Sequence, residues 1–146
     1  CNQRGLTLSP EDCQSPQTIH PFVGAELVRE RFNIQDETVL DAIRYHTTGR
    51  ANMSLVEKIV FIADKIEGNT RNPLYSRHVT EKLNYSNPAS IDETMLYILD
   101  STLAFLIEKR QLIHPRTMDA RNDFVRRLKQ AEAAGVETPP VPRLAK

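Results

Sequence analysis

The chain has 146 residues, of which 40% are hydrophobic, and its 19 basic residues balance its 19 acidic residues. This length suits one compact domain, and the balanced charge gives no indication of nucleic acid or a membrane surface as a partner. No apolar run approaches the roughly 18 residues needed to span a bilayer. The two cysteines, Cys1 and Cys13, are too few for a disulfide framework, so we expect reduced thiols and a cytoplasmic location.

The first two predicted helices follow a polar segment, residues 1–19. Because proline is favoured in a first helical turn, the sequence predicts a helix from about Pro21 to Phe32. Asp36 is a good N-cap for a second helix that ends near His46. The residues expected to be buried on this second helix are Val39, Leu40, Ala42 and Ile43.

The third predicted helix has the clearest start in the sequence. Ser54 and Glu57 form a capping-box pattern, which follows a loop over residues 47–53 that contains Gly49. The apolar positions that come next are 55, 56, 59, 60, 62, 63 and 66. So wide a stripe predicts a central helix, the most buried in the fold, which ends at Gly68.

A long polar connection over residues 68–90 comes next, with one short predicted helix near 76–83. A second capping-box pattern, from Ser90 to Glu93, opens a helix that runs to about Arg110. The residues expected to be buried on it are Ile91, Met95, Leu96, Leu99, Leu103, Leu106 and Ile107.

The C-terminal part begins after His114-Pro115, where the chain breaks. A last helix is predicted from about Thr117 to Ala134, and residues 138–146 are predicted to form a disordered tail. No segment shows the alternation of a strand. The sequence therefore predicts an all-α bundle of five or six helices.

Three residues could form a metal site. Asp64 lies among apolar neighbours, where a carboxylate needs an ion pair or a metal. His46 ends the second helix, where a cation would also suit the helix dipole. His20 precedes Pro21 at a predicted helix start, which favours a neutral imidazole able to bind metal. No pair has the spacing of two ligands on one helix, so the residues alone leave both interpretations open.

Four basic residues occur around the loop and the third helix: Arg50, Lys58, Lys65 and Arg71. They could bind phosphates, since arginine forms bidentate contacts with such anions, or they could be a solvated face. His78 and His114 lack comparable surroundings, and both are predicted to be surface residues.

The run AIRYHTTGRANMSLVEKIVFIADKIE, preceded by HPFVGAELV, resembles the YqeK family of HD-superfamily phosphohydrolases. The resemblance covers residues 18–128 and extends to the segments LDSTLAFLIEK and HPRTMDARNDF. It implies an HD-type helical bundle with a two-metal centre, in which iron is the expected metal. It also implies symmetrical cleavage of diadenosine tetraphosphate into two ADP.

The resemblance also implies roles for particular residues. The family's metal ligands are a first His, an adjacent His-Asp pair, two further His and a final Asp. The last three correspond to His20, His46 and Asp64, and Asp64 is assigned the catalytic role as well. The residues assigned to substrate binding are Thr48, Gly49, Arg50, Lys58 and Arg71.

The sequence departs from the family pattern at one point, because no His-Asp dipeptide occurs in the 146 residues. The missing half of the metal site is expected upstream of Cys1, which makes residues 1–137 an N-terminally incomplete HD-type domain. We expect such a chain to show little hydrolysis and to expose the apolar face that the missing helices would cover. A homodimer is the predicted assembly of this chain.

Two other interpretations remain open. The chain could be a catalytically inactive helical module that binds nucleotides or a partner. It could also be the C-terminal part of a bifunctional nucleotidyltransferase-hydrolase. The sequence upstream of Cys1 would distinguish these interpretations.

Overall fold

The computed structural model describes residues 8–14, 16–67, 73–83 and 88–136. Over these ranges the chain forms a 3-10 turn and six α-helices, and it has no strand. The turn is Asp12–Gln14, and the helices are α1 (Pro16–Phe32), α2 (Glu37–Tyr45), α3 (Leu55–Ile66), α4 (Pro73–Lys82), α5 (Pro88–Glu108) and α6 (Pro115–Ala133). The predicted all-α fold is confirmed. None of the helices in the described ranges is both long and apolar enough to cross a membrane.

Neighbouring helices pack in chain order, α1 on α2 and α2 on α3, while α3 also contacts α4 and α5, and α5 packs along α6. The main core lies among α3, α4, α5 and α6, and α5 supplies its largest share. Its buried members are Met53, Phe61, Ile62, Val79, Ile91, Met95, Leu96, Ile98, Leu99, Ala120, Phe124 and Leu128. A smaller buried set on α1 and α2 consists of Phe22, Ala25, Leu40 and Ala42.

Helix α3 is rotated relative to the prediction, so that Ile62 and Ile66 of the predicted stripe reach the core but the rest of its large apolar residues do not. Its apolar residues Leu55, Val56, Ile59 and Val60 are 53%, 44%, 42% and 37% exposed. Its buried residues are Glu57, Lys58, Phe61, Ile62 and Lys65. Each buried charge has an oppositely charged partner, which makes its burial tolerable. The prediction that α3 is the most buried helix is therefore wrong, and an apolar stripe points outward.

The start of α1 also differs from the prediction. The helix begins at Pro16, so Pro21 lies inside it and is buried. His20 is consequently a residue of the helix rather than of its start. On α2, Val39 is exposed although it was expected in the core.

The predicted starts of three further helices can be compared with the structure. The N-cap predicted at Asp36 is confirmed, since its side chain accepts the Thr38 N–H at 2.8 Å. The Ser54–Glu57 capping box is also confirmed, with both reciprocal bonds present. The capping box predicted from Ser90 to Glu93 is wrong, because Ser90 lies inside α5. At the other end of α5, Ile107 is exposed, although it was expected to be buried.

His114 is not a surface residue, because only 7% of its side chain is exposed. It is the N-cap of α6, and its Nδ1 accepts the Arg116 N–H at 3.1 Å. Cys13 is disulfide-bonded rather than a free thiol. The predictions for Gly68, Arg71, the His78 side chain and the tail over residues 138–146 lie outside the described residues.

Candidate active site

Two of the predicted metal ligands come together where α1 meets the end of α2. The Nε2 atoms of His20 and His46 lie 3.2 Å apart, although 26 residues separate them in the chain. The His20 Nδ1 lies 3.2 Å from the Pro16 carbonyl oxygen, and the His46 Nδ1 lies 2.7 Å from that of Ile43. Since a carbonyl oxygen can only accept, both Nδ1 atoms carry the hydrogen. In neutral rings, both Nε2 lone pairs then converge on the same small volume.

Asp64 does not join the two histidines in this arrangement. Its carboxylate accepts a hydrogen bond from the Lys65 Nζ at 2.8 Å, and its side chain is 39% exposed. Over the described part of the chain, no group of three or more His, Cys, Asp or Glu side chains is arranged to hold a metal. The structure therefore contains a pair of candidate ligands and not the predicted set of three.

Arg50, predicted to bind substrate, is held by two carboxylates. Its Nε donates to Glu57 at 2.6 Å, and its Nη2 lies 3.1 Å from both Glu57 and Asp41. The guanidinium also lies over the Tyr45 ring, 4.7 Å from its centroid. Burial raises the pKa of the Glu57 carboxyl, but hydrogen bonds from Arg50 and Ser54 outweigh this effect and leave the pKa lowered. An anion that binds Arg50 must compete with these carboxylates.

These contacts end a chain of ion pairs that crosses three helices. In order, its members are Arg29, Glu37, Arg44, Asp41, Arg50 and Glu57, and each consecutive pair is 2.6–3.1 Å apart. Positive and negative groups alternate along it, so each of the four inner charges has an oppositely charged partner on either side. The chain of ion pairs fixes the position of α2 between α1 and α3, and with it the position of the loop that carries Arg50.

Lys58 and Thr48, two other predicted substrate residues, also have internal partners. The Lys58 Nζ lies 2.6 Å from Asp92 on α5. The hydroxyl of Thr48 is buried and donates to the Gly49 carbonyl at 3.0 Å. Gly49 has a φ of 67°, a conformation that favours glycine.

A cluster that the sequence analysis did not predict joins the N-terminal turn to α6. The fully buried Asp12 accepts hydrogen bonds from both terminal nitrogens of Arg116 and from the His114 Nε2. Burial raises the pKa of Asp12, but the bonds from Arg116 and the Ser9 N–H hold it at about 2. The pattern Ser9-x-x-Asp12 was a usable signal, because it forms a capping box of its own. No local pattern points to its distant partners.

Comparison with known proteins places these observations in a family. A family model described as the HD domain matches residues 4–69. Over 109 residues the chain is 41% identical to the symmetrical bis(5'-nucleosyl)-tetraphosphatase of Halalkalibacterium halodurans, and over 111 residues it is 36% identical to that of Bacillus subtilis. These matches cover 75% and 76% of this chain but 56% and 57% of the relatives.

The fold leads to the same family. A crystal structure from Clostridium acetobutylicum, described as that of a predicted HD superfamily hydrolase involved in NAD metabolism, matches with a TM-score of 0.75. The two proteins are 35% identical, and the match covers 87% of this chain and 65% of that one. The chain spans little more than half the length of the curated relatives that it matches. Its sequence, its helical fold and these similarities place residues 4–69 of the chain in the HD-domain family.

Proposed function

We propose that this chain belongs to a metal-dependent phosphohydrolase that cleaves dinucleoside polyphosphates, with diadenosine tetraphosphate as substrate and two ADP as products. The observation that carries the proposal is the His20–His46 pair, with its two Nε2 atoms 3.2 Å apart. Two relatives that match three-quarters of the chain carry the name of this activity, which supports the same substrate class.

The histidine pair fits a metal ion better than it fits a simple hydrogen bond. Two nitrogen ligands, each about 2.1 Å from one ion and at tetrahedral or octahedral angles, lie about 3.0–3.4 Å apart. The observed 3.2 Å falls in this range. Bonds from Nδ1 to backbone carbonyls are also the outer contacts that usually orient metal-binding histidines. A direct bond between the two Nε2 atoms would require an additional proton on one ring.

The proposed chemistry is hydrolysis of a phosphoanhydride. When bound, the metal centre would offset charge on the phosphoryl oxygens and activate a water molecule. His20 and His46 would hold the metal, and Asp64 would add a carboxylate oxygen after turning away from Lys65. Water adds to one of the two middle phosphorus atoms and the central P–O–P bridge breaks. The water oxygen stays on the first ADP, and the released proton passes to the bridging oxygen that leaves with the second ADP.

Further ligands are needed for a two-metal centre. These 146 residues contain no His-Asp pair, so we propose that the complete enzyme supplies that pair from outside them. The outward apolar stripe of α3 supports this proposal, since an additional segment would cover it. Iron as the metal, a cytoplasmic location and a homodimeric assembly complete the proposal, and metal analysis, cell fractionation and sedimentation would test them.

Arg50 and Lys58 are the proposed polyphosphate ligands. Each is now paired with a carboxylate, Arg50 with Glu57 and Asp41 and Lys58 with Asp92. A substrate phosphate would take the place of Asp41 on the Arg50 guanidinium, while Glu57 keeps its bond. The arginine would thus exchange one anion for another, which lowers the cost of removing it from water.

Titration with Co²⁺ tests the proposal at the metal site without requiring turnover. The wild-type chain is expected to bind Co²⁺ with a change in visible absorbance, and His20→Gln or His46→Gln to weaken binding at least tenfold. His78→Gln is the control that removes a histidine outside the pair. A wild-type chain that binds no metal, or variants that bind it unchanged, would refute the role of the pair. ADP release from diadenosine tetraphosphate, measured with the chain alone and with its natural upstream segment, then tests the activity.

A further inference from the structure

The loop between α2 and α3 is attached to α6, far away in the chain. The Asn52 N–H donates to the Asp123 Oδ2 at 3.0 Å, across 71 residues. We propose that Asp123 is a positioning residue, which holds the loop so that Arg50 presents its guanidinium to substrate. This inference rests on the proposed function, because that function makes Arg50 a ligand of the polyphosphate.

The loop has a backbone conformation that needs support. Gly49 and Asn52 both have positive φ angles, 67° and 57°. Left-handed geometry is unfavourable for a residue other than glycine, although asparagine tolerates it better than most. Such conformations persist where the surrounding structure fixes them. Asp123 provides this support by bonding the backbone of the strained Asn52.

Asp123 is itself fixed by its neighbours on α6. It is buried, and its Oδ2 accepts from the Arg127 Nε at 2.8 Å, while an Arg126 nitrogen lies 3.7 Å from its other oxygen. Burial raises the pKa of Asp123, but the bonds from Asn52 and Arg127 outweigh this and leave the pKa lowered. Arg127 also reaches the Asn52 side-chain oxygen at 3.4 Å. Asp123 and Arg127 therefore bind Asn52 through both its backbone and its side chain.

A second contact joins α6 to the other end of the loop. A Cβ atom placed on Gly49 would lie 3.2 Å from the Ala120 Cβ, so the backbone passes very close to α6 there. Ala120 and Asp123 are three residues apart and lie on one face of the helix. Arg50 lies between the two contacts, with its backbone fixed at both ends. Its side chain extends toward Glu57 and Asp41.

Substitutions at position 123 separate positioning from general stability. Asp123→Ala removes the acceptor of the Asn52 N–H, whereas Asp123→Asn keeps an acceptor oxygen but loses the charge that Arg127 binds. Asp119→Asn is the matched control, an exposed acid one turn earlier on the same helix. Urea denaturation of each variant identifies the conditions in which all of them are folded.

The first measurement needs no ligand. We expect Asp123→Ala to shift or broaden the Arg50 Nε–H resonance in NMR spectra and to raise amide exchange at Asn52 at least tenfold. The Arg44 Nε–H resonance should stay unchanged. A variant that only lowers overall stability would leave the Arg50 resonance in place under folding conditions, and that result would overturn the inference. If Asp123→Ala does not fold, Arg127→Gln replaces it. We then expect the same changes in the Arg50 resonance and in Asn52 amide exchange, but smaller ones.

The second measurement links the loop to substrate. We expect the affinity for diadenosine tetraphosphate to fall at least tenfold in Asp123→Ala, to recover most of the way in Asp123→Asn, and to be unchanged in Asp119→Asn. Equal affinities in wild type and Asp123→Ala would overturn the positioning role. If the wild-type chain binds no nucleotide, the proposed function fails instead, and the Arg50 resonance still decides whether Asp123 fixes the loop.

Discussion

Removal of the Asp12 charge should destabilise the fold by an amount that depends on pH. The contacts of this carboxylate with Arg116 and Ser9 lower its pKa from 3.8 to about 2. A difference of this size corresponds to about 2.4 kcal/mol of preference for the ionised form in the folded state. In addition, Asp12→Asn leaves Arg116, whose side chain is 27% exposed, without its anion. Breaking a buried ion pair costs about 3–5 kcal/mol of unfolding free energy. Because Arg116 is partly exposed, we expect a loss at the lower end of this range, about 3 kcal/mol.

The sign of the pH dependence follows from the lowered pKa. The unfolded chain takes up a proton at Asp12 near pH 3.8, whereas the folded chain resists protonation down to about pH 2. The stabilisation is therefore complete above pH 3.8 and is lost as the pH falls from there towards 2. Burial lowers the pKa of His114, whereas its contact with Asp12 acts in the opposite direction. Removal of the Asp12 charge therefore lowers the His114 pKa further, and the variant loses more stability than wild type as the pH falls below the ordinary value of 6.5.

Urea denaturation followed by circular dichroism at 222 nm measures this effect. At pH 7 the variant should lose about 3 kcal/mol, or roughly 6–12 °C in melting temperature for a chain of this size. The difference between wild type and Asp12→Asn should narrow as the pH is lowered from 5 to 3. Asp119→Asn, an exposed acid on α6, should differ from wild type by less than about 0.5 kcal/mol. A loss at pH 7 below about 1 kcal/mol, or a difference that does not change with pH, would refute the reasoning.

Two further predictions test the packing of the loop and of α3. Gly135→Ala should cost about 1 kcal/mol, for backbone strain alone, because nothing lies within 4 Å of its added Cβ. Gly49→Ala should cost about 1 kcal/mol more, because its Cβ would lie 3.2 Å from that of Ala120; equal losses of unfolding free energy would contradict the close approach to α6. Because Ile59 is exposed, Ile59→Ser should change the unfolding free energy by less than about 0.5 kcal/mol and should reduce binding of the dye ANS. Because Phe61 is buried, Phe61→Ala should cost about 3–5 kcal/mol. A large loss for Ile59→Ser would mean that the apolar stripe is covered.

Local signals predicted the helices well because their chemistry is contained in a few neighbouring residues. The caps at Asp36 and Ser54 each bond a backbone N–H two or three positions away. Periodicity was less informative for α3, because it identifies an apolar side without saying which side faces the core. The buried side of α3 carries Glu57 and Lys58, whose partners Arg50 and Asp92 become neighbours only in the folded chain.

The same distinction applies to the candidate site. Family resemblance selected His20 and His46, and the structure brings their rings together. Asp64 was selected by the same resemblance, yet it pairs with Lys65. Asp123 could not be selected from the sequence, because its role depends on the backbone of a residue 71 positions away.

Glu57 imposes a constraint on sequence variation at the start of α3. The same carboxylate accepts the Ser54 N–H at 2.7 Å and binds Arg50 at 2.6 Å. A capping box normally accepts glutamine as readily as glutamate at this position. Here glutamine would preserve the helix start but remove the charge that neutralises the arginine. A substitution that is neutral in most helices would therefore break a buried ion pair here and change the electrostatics of the candidate site.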